Sequence, residues 1–337
     1  MDYTKAEAKQ AARERFVGLC AAITTPFDGS GAVDYGTLRR DLDRLTGDLG
    51  IDGIFCTGVM GEFWALTGAE RRRLVEVVVD QVGGACPVVA HTGHHSAGQA
   101  VEFTMHAQKA GADFVALLNP YYPAASDDGL FRWYQQVCGS VDIGVWLFDT
   151  AYSGVSLSLD LIDRLADLQN VCGIKVGRDH ATYLRVLRQV GDRILVCEPN
   201  EGTWLENMRD HGQRVFMSSA APYLYQTPGR QPMREYTGLA LGGDFAGAAK
   251  VAAALDPVRA VAVKWLHGKA RRADSVASLK AWAGLLGMSG GPVRAPLISH
   301  TPAEQASLAA DLAAAGLLDA EALPVRASLN GHGLAGS

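Results

Sequence analysis

A lysine inside an apolar segment is the residue with the clearest chemical potential. The stretch NVCGIKVG, residues 170–177, places Lys175 in a short hydrophobic run that contains glycines. A lysine removed from water loses part of its preference for the charged form, so its pKa falls and the free amine can attack a carbonyl carbon. The resulting iminium withdraws electrons from the neighbouring carbon, and a bond beside it can form or break without a metal or a cofactor. On the residues alone, a lysine that reaches water from a strand end or pairs with a carboxylate is an equal alternative.

Three further segments carry candidate groups. In CTGVMGEF, residues 56–63, two glycines bracket a turn whose backbone N–H groups could bind an anion such as a carboxylate. NPYY, residues 119–122, supplies two phenols that could relay a proton. AHTGHHS, residues 90–96, gathers three histidines but no carboxylate or thiol, so we expect no metal site there. Each segment has a plain structural alternative, namely an ordinary turn, packing tyrosines or a polar loop.

The elements that must position these groups alternate along the chain. Eight strand-like runs are separated by segments of helical periodicity, several of which begin with a Ser, Thr or Asp that could cap a helix. This pattern predicts an α/β fold, a (β/α)8 TIM barrel, and the absence of a dinucleotide fingerprint after the first strand disfavours an open doubly wound sheet. The predicted strands are residues 19–25, 52–58, 87–92, 113–119, 143–148, 171–176, 193–198 and 214–219.

The predicted domain organisation has four parts. Residues 1–16 form a helical lead-in, 17–240 the barrel, 241–318 a C-terminal helical bundle and 319–337 a tail. Because active sites of such barrels lie at the carboxyl ends of the strands, Lys175 at the end of the sixth strand should face the barrel mouth. At the end of the eighth strand, Phe216 and Ser218 are predicted to contact the substrate.

Composition excludes several classes of protein. The 337 residues are 48% hydrophobic and 20% charged with a net charge of −5, which indicates neither a disordered chain nor a nucleic-acid-binding surface. Apolar runs are too short to span a membrane, and the charged N-terminus does not resemble a secretory signal, so we expect a cytoplasmic protein. Six cysteines without CxxC spacing are expected to be reduced thiols.

Taken in order, these motifs resemble the dihydrodipicolinate synthase and N-acetylneuraminate lyase family of Schiff-base (β/α)8 enzymes that act on pyruvate and related 2-oxo acids. The resemblance runs from about residue 17 to residue 318. It implies that Lys175 forms the Schiff base, that backbone N–H groups around Met60 and Gly61 hold the substrate carboxylate, and that Tyr122 reaches a neighbouring subunit's site. It also implies a homotetramer built as a dimer of dimers. The segments that carry the resemblance are ITTPF (23–27), GVMGEFWALT (58–67), NPYY (119–122), GIK (173–175) and the helical C-terminal extension.

The chain departs from the family pattern at the residues that move protons. Val59 and Met60 stand where members usually carry two hydroxyl residues, and Phe148 stands where members usually carry a tyrosine. None of the three can donate a hydrogen bond from its side chain. The arginine with which synthase members hold a second carboxylate is also absent from DTAYSG, residues 149–154, although Tyr152 could replace the missing phenol.

We therefore expect a divergent class I aldolase or lyase. Lys175 would form an imine with pyruvate or a related 2-oxo acid, and a carbon–carbon bond to an aldehyde less polar or bulkier than a sugar acid would form or break. The lysine-pathway synthase reaction is not expected. The alternatives are a deoxy sugar acid dehydratase of the ketodeoxyglucarate type and a non-catalytic barrel that binds 2-oxo acids. The predicted substrate-binding residues are Val59, Met60, Gly61, Phe148, Phe216 and Ser218.

Overall fold

Eight parallel strands form a nearly closed barrel, which confirms the predicted (β/α)8 fold. The computed structural model describes residues 2–150, 153–267 and 275–318. Neighbouring strands follow the order β7-β6-β5-β4-β3-β2-β1-β8. The strands are β1 Gly18–Ala22, β2 Gly53–Cys56, β3 Val88–His91, β4 Phe114–Leu118, β5 Gly144–Thr150, β6 Val171–Gly177, β7 Leu195–Cys197 and β8 Val215–Ser219.

Helices connect the strands and extend beyond the last one. Most begin at a residue whose side chain accepts a backbone N–H of the first turn; Thr67, Ser96 and Asp179 are examples. The helices are α1 Ala8–Arg15, α2 Tyr35–Asp43, α3 Gly68–Val82, α4 Ala97–Ala110, α5 Asp127–Gly139, α6 Leu159–Ala166, α7 His180–Val190, α8 Glu201–His211, α9 Ala221–Leu224, α10 Pro232–Leu241, α11 Phe245–Ala253, α12 Asp256–Ala262, α13 Ser275–Leu285 and α14 Pro302–Ala314. In the described ranges, none of the helices has the length and hydropathy that a bilayer crossing requires. The predicted tail, residues 319–337, lies outside the described residues.

Two apolar cores follow from the alternation of side chains along each strand. One core lies between the outer face of the sheet and the helices, and the other fills the barrel interior. At the amino end of the barrel, Phe16 closes the interior core with its ring 5.0 Å from the ring of Trp146. The chemistry of the site is therefore confined to the opposite, carboxyl end.

A bulge in β6 makes room for Trp146. Val145 lies opposite Val171 whereas Trp146 lies opposite Gly173, so β6 carries one extra residue between them. A Cβ atom on Gly173 would lie 2.6 Å from the indole ring, so only glycine fits this position. Two residues later the strand presents Lys175 to the barrel interior.

The barrel seam lies between β7 and β8, which are not neighbours in the hydrogen-bonded order. The side-chain amide of Gln213 bridges it. Its Oε1 accepts the N–H of Glu198 at 3.1 Å, and its Nε2 donates to the carbonyl oxygens of Glu198 at 3.2 Å and Val215 at 2.9 Å. A buried glutamine thus takes the place of a strand ladder.

We expect Gly173→Ala to destabilise the protein by about 1–3 kcal/mol, because the added methyl group must displace the Trp146 ring in a filled core. Chemical unfolding monitored by fluorescence measures the change. Gly238→Ala is the matched control, because Gly238 lies in α10 with no atom within 4 Å of an added Cβ. That substitution should leave stability unchanged or raise it by roughly 1 kcal/mol. Equal stabilities of the two variants would contradict the proposed role of the bulge.

Candidate active site

Lys175 lies on β6 between Phe148 of β5 and Cys197 of β7 in strand register. Only 7% of the residue is exposed. Its ammonium donates a hydrogen bond of 2.6 Å to the carbonyl oxygen of Ser218 and lies 4.4 Å from the centre of the Phe148 ring and 5.2 Å from that of Phe55. Within the described part of the chain, no carboxylate forms an ion pair with it.

Desolvation controls the protonation of this lysine. Burial among aromatic rings and thiols penalises the charged form and lowers the pKa of Lys175 from 10.5 to about 7. A substantial fraction of the side chain is therefore the free amine at neutral pH. An amine in that form can attack a ketone carbon.

The turn that follows β2 is held in an unusual backbone conformation. Thr57 and Glu62 bracket it with φ values of 54° and 55°, in the left-handed region that non-glycine residues rarely adopt. The Thr57 hydroxyl donates to the carbonyl oxygen of His91 at 2.9 Å, and the Thr25 hydroxyl donates to that of Gly61 at 2.8 Å. Strained backbone conformations that several surrounding contacts hold in place are typical of binding sites.

The free N–H groups of the turn differ in part from the expectation. The N–H of Gly61 donates to the carbonyl oxygen of Gly58 at 3.1 Å and is not available to a carboxylate. Among the described residues, the N–H groups of Val59 and Met60 have no hydrogen-bond acceptor. An anion at this turn would therefore be bound by Val59 and Met60 rather than by Met60 and Gly61.

A buried ion pair connects the turn to the C-terminal helices. The ammonium of Lys280 in α13 lies 2.6 Å from the Glu62 carboxylate, and both side chains are almost completely buried. The second carboxylate oxygen of Glu62 accepts the N–H of Arg294 at 2.9 Å. Burial lowers the pKa of Lys280, and the contact with Glu62 opposes that shift. The left-handed conformation at Glu62 is thus fixed by residues from outside the barrel.

Lys175 opens into a cavity of about 560 Å³. Five residues selected from sequence line it: Val59, Met60, Phe148, Lys175 and Ser218. Its inner wall is apolar and includes the buried ring of Phe55. Its rim is polar, and includes Thr150, Arg178, Glu198, Asn200, Glu201, Ser219, Tyr225, Arg259 and His267.

Two guanidinium groups on the rim are already paired with carboxylates. Arg178 makes two contacts with the buried Asp149, at 2.5 and 2.6 Å. Arg259 makes two contacts with Glu201, at 2.7 and 2.8 Å, and Glu201 also accepts from the Tyr236 hydroxyl at 2.8 Å. Bidentate pairs of this kind hold a guanidinium in a fixed orientation.

Sequence reasoning did not single out Arg178, Tyr225 or Arg259. Arg178 follows Lys175 by three residues, so the predicted end of the sixth strand could have placed it at the barrel mouth. Tyr225 and Arg259 come from segments beyond β8, and no sequence pattern indicates that they return to the barrel mouth. Burial raises the pKa of Tyr225 well above its usual value, so its phenol remains protonated and can donate.

Other predicted residues lie outside this cavity. Phe216 is on the outer face of β8, completely buried 5.7 Å from the Trp204 ring, so its prediction as a substrate-binding residue is wrong. The interior of β8 is instead formed by Val215 and Met217. Tyr122 is 77% exposed and does not line the cavity of its own chain. Tyr152 lies outside the described residues.

The histidine loop after β3 also lies apart from Lys175. The buried His91 ring has its Nδ1 3.0 Å from the carbonyl oxygen of Thr57, and burial keeps its pKa well below the usual value. It lines a separate cavity of about 260 Å³ together with His94 and His95. In the ranges that the structure describes, this loop does not bring three metal-binding side chains within reach of one ion.

Comparisons with known proteins point to the same family over most of the chain. A family model described as the dihydrodipicolinate synthetase family matches residues 15–315. The 4-hydroxy-tetrahydrodipicolinate synthase of Syntrophobacter fumaroxidans is 30% identical over 303 residues, which cover 89% of this chain and 98% of that protein. The protein of the same name from Methanothrix thermoacetophila is 36% identical over 180 residues, 53% of this chain and 60% of the relative.

Solved structures are similar over the same region. A prophage protein of E. coli K12, described as belonging to the dihydrodipicolinic acid synthase family and in complex with pyruvate, superimposes with a TM-score of 0.79 at 27% identity. Dihydrodipicolinate synthase from Aquifex aeolicus gives a TM-score of 0.78 at 26% identity. Each comparison covers 90% of this chain and 99% of the other.

The lowered pKa of Lys175 predicts how imine formation depends on pH. Below about pH 7 the side chain is mostly ammonium, so the rate of adduct formation with pyruvate should fall about tenfold per pH unit; above it the rate should level off. Cyanoborohydride trapping followed by mass spectrometry, from about pH 5 to pH 9, measures this rate. A rate that continues to rise toward the ordinary lysine pKa would contradict the desolvated state of Lys175.

Proposed function

Because the chain belongs to the dihydrodipicolinate synthetase family, we propose that it is a Schiff-base lyase or aldolase that acts on pyruvate or a related 2-oxo acid. The observation that carries the proposal is the desolvated amine of Lys175 at the base of a cavity. The amine attacks the ketone carbon, the carbonyl oxygen leaves as water, and an iminium remains. Loss of a proton from the adjacent carbon then gives an enamine that can add to an aldehyde.

The carboxylate of the 2-oxo acid is proposed to bind at the turn after β2. The N–H groups of Val59 and Met60 supply the hydrogen bonds, and the backbone conformation fixed by Thr57 and Glu62 directs them. The side chains of Val59 and Met60 add only apolar contact. Recognition of the acid group therefore depends on backbone rather than on hydroxyl groups.

The fate of the enamine is proposed to differ from that in the synthases. Phe148 contacts the lysine but carries no proton, and neither Val59 nor Met60 can relay one. Tyr225 is the phenol of the described cavity and can donate to the oxygen of an incoming aldehyde. Both described guanidinium groups of the rim are paired within the protein, so neither is free to bind a second carboxylate. These features support an uncharged aldehyde with an apolar body.

The two alternatives have less support. The curated relatives are named 4-hydroxy-tetrahydrodipicolinate synthases, and this name does not favour dehydration of a sugar acid. A barrel without turnover would not need a buried lysine that is partly deprotonated at neutral pH. We therefore retain the aldolase or lyase reaction as the proposed function.

The proposal is tested in two steps. Incubation with pyruvate and borohydride should add the mass of one reduced adduct to the peptide that contains Lys175, and Lys175→Met should abolish the adduct. Lys264→Met is the matched control, since Lys264 is an exposed lysine outside the cavity, and it should retain the adduct.

In the second step, pyruvate release is measured from aldol compounds whose aldehyde part is either aromatic or a sugar acid. We expect kcat/KM to favour the aromatic compounds at least tenfold. Absence of any adduct with a panel of 2-oxo acids would refute the enzyme proposal. An adduct combined with preference for sugar acids would refute only the proposed aldehyde.

We also propose that the active form is a homotetramer in which Tyr122 enters a neighbouring subunit's site. Its 77% exposure in the single chain supports this, since a large phenol at the end of a barrel strand is left without cover. The thiols support a cytoplasmic location, because all six cysteines are free and five are buried, as expected for a protein of a reducing compartment.

Subunit mixing tests the role of Tyr122. Lys175→Met and Tyr122→Phe should each lower activity strongly as pure proteins. Mixed and reassembled, they should recover part of the wild-type activity, because a Lys175→Met subunit donates its tyrosine to a neighbour that still has its lysine. No recovery in a mixture shown by mass spectrometry to contain hybrid oligomers would argue against a shared site.

A further inference from the structure

We propose that His180, Glu206 and His211 form a zinc-binding site on the outside of the barrel, independent of the proposed imine chemistry. His180 is the first residue of α7, and the other two lie on α8. One ligand atom from each of the three residues lies within 4.8 Å of the others. Two imidazoles and a carboxylate are a set that zinc commonly takes, with a fourth position left for water.

The geometry requires only small adjustments. Ligand atoms around tetrahedral zinc are about 3.4 Å apart for bonds of about 2.1 Å. The rings of His180 and His211 have centroids 6.0 Å apart. Glu206 is exposed and His211 is half-buried, so rotation of these two side chains can bring their ligand atoms toward His180 without moving the helices.

A second observation is the orientation of the His180 ring. Its Nδ1 lies 2.8 Å from the Oε2 atom of Glu198, whose side chain is 2% exposed. A carboxylate accepts, so Nδ1 carries the proton, and the lone pair of Nε2 is left free for a metal. A buried carboxylate behind a histidine is the arrangement that orients metal-binding imidazoles and raises their basicity.

The Glu198 carboxylate is itself fixed. The same Oε2 atom accepts from the Thr203 hydroxyl at 2.8 Å and from the Asn207 amide at 2.9 Å. Thr203 and Asn207 lie on α8, so Glu198 already connects that helix to the end of β7 and to His180. An isolated histidine–glutamate pair would not need this support.

The position of the site indicates what zinc would do. Glu198 bonds through its backbone to Gln213 across the barrel seam and also lines the cavity of Lys175. Zinc would link α7 to α8 beside this seam. Because it would bind the folded chain and not the unfolded one, it should raise stability with concentration.

The test is zinc titration of the metal-free full-length protein in competition with a chromophoric chelator. One zinc per chain is expected at this site. His211→Ala and Glu206→Gln should each weaken binding at least tenfold, and Glu198→Gln should weaken it about 10–100-fold by releasing the His180 ring. Zinc should also raise the unfolding temperature of the wild type but not that of His211→Ala.

His106→Ala is the matched control. His106 lies 3.3 Å from the Glu76 carboxylate and thus forms a histidine–glutamate pair, but the described residues provide no third ligand there. Its removal should leave zinc affinity unchanged. Far-UV circular dichroism of the metal-free variants checks that each one folds.

Two results would overturn the proposal. The first is a wild-type protein that binds no zinc. The second is binding that survives His211→Ala and Glu206→Gln but is lost in a His94→Ala/His95→Ala double variant, which would place the metal at the loop after β3. A cobalt-loaded protein with the visible absorption of tetrahedral coordination, lost in His211→Ala, would support it.

Discussion

The burial of one ammonium group, which has no carboxylate partner among the described residues, is the constraint on which the site depends. Lys175 is surrounded by aromatic rings and thiols and contacts a backbone carbonyl instead of a carboxylate. The change in its pKa from 10.5 to about 7 corresponds to roughly 5 kcal/mol of disfavoured charge. The two apolar cores must compensate for that cost, and the bulge at Gly173 shows how closely the barrel is filled beneath the lysine. Reactivity at the carboxyl end therefore depends on tight packing at the amino end.

Around this lysine, apolar residues form the inner wall of the cavity and charged residues lie at its rim. The inner wall has rings and aliphatic groups, and the charges of the rim are neutralised within the chain, Arg178 by Asp149 and Arg259 by Glu201. A substrate charge would have to compete with these bidentate pairs, which are strong in a partly buried setting. The proposed substrate, with a single acid group near the turn and an uncharged surface elsewhere, would match this distribution of charge.

The sequence predicted the fold and the central residue because both depend on local patterns. Apolar runs of strand length locate all eight strands, and the position of Lys175 in the sixth follows from them. The face of a strand is harder to predict, and the error at Phe216 has this cause: alternation gives two phases, and only packing decides between them. The ion pairs of Arg178 and Arg259 were also out of reach, since their partners are distant in sequence. The hydrogen bond from the Gly61 N–H to the Gly58 carbonyl oxygen depends on turn geometry, which composition does not reveal.

The ion pair between Glu62 and Lys280 has a consequence for how such a site can change over evolutionary time. It fixes the backbone of the turn through a residue that does not line the cavity of Lys175. The side chains at positions 59 and 60 are therefore not needed to hold the conformation of the turn. Under the proposed function, Val59 and Met60 in place of hydroxyl residues would change the reaction, while the backbone proposed to bind the carboxylate would stay the same. The C-terminal helices in this way hold the turn independently of the side chains at positions 59 and 60, so these two positions can accept substitutions during evolution without loss of the turn conformation.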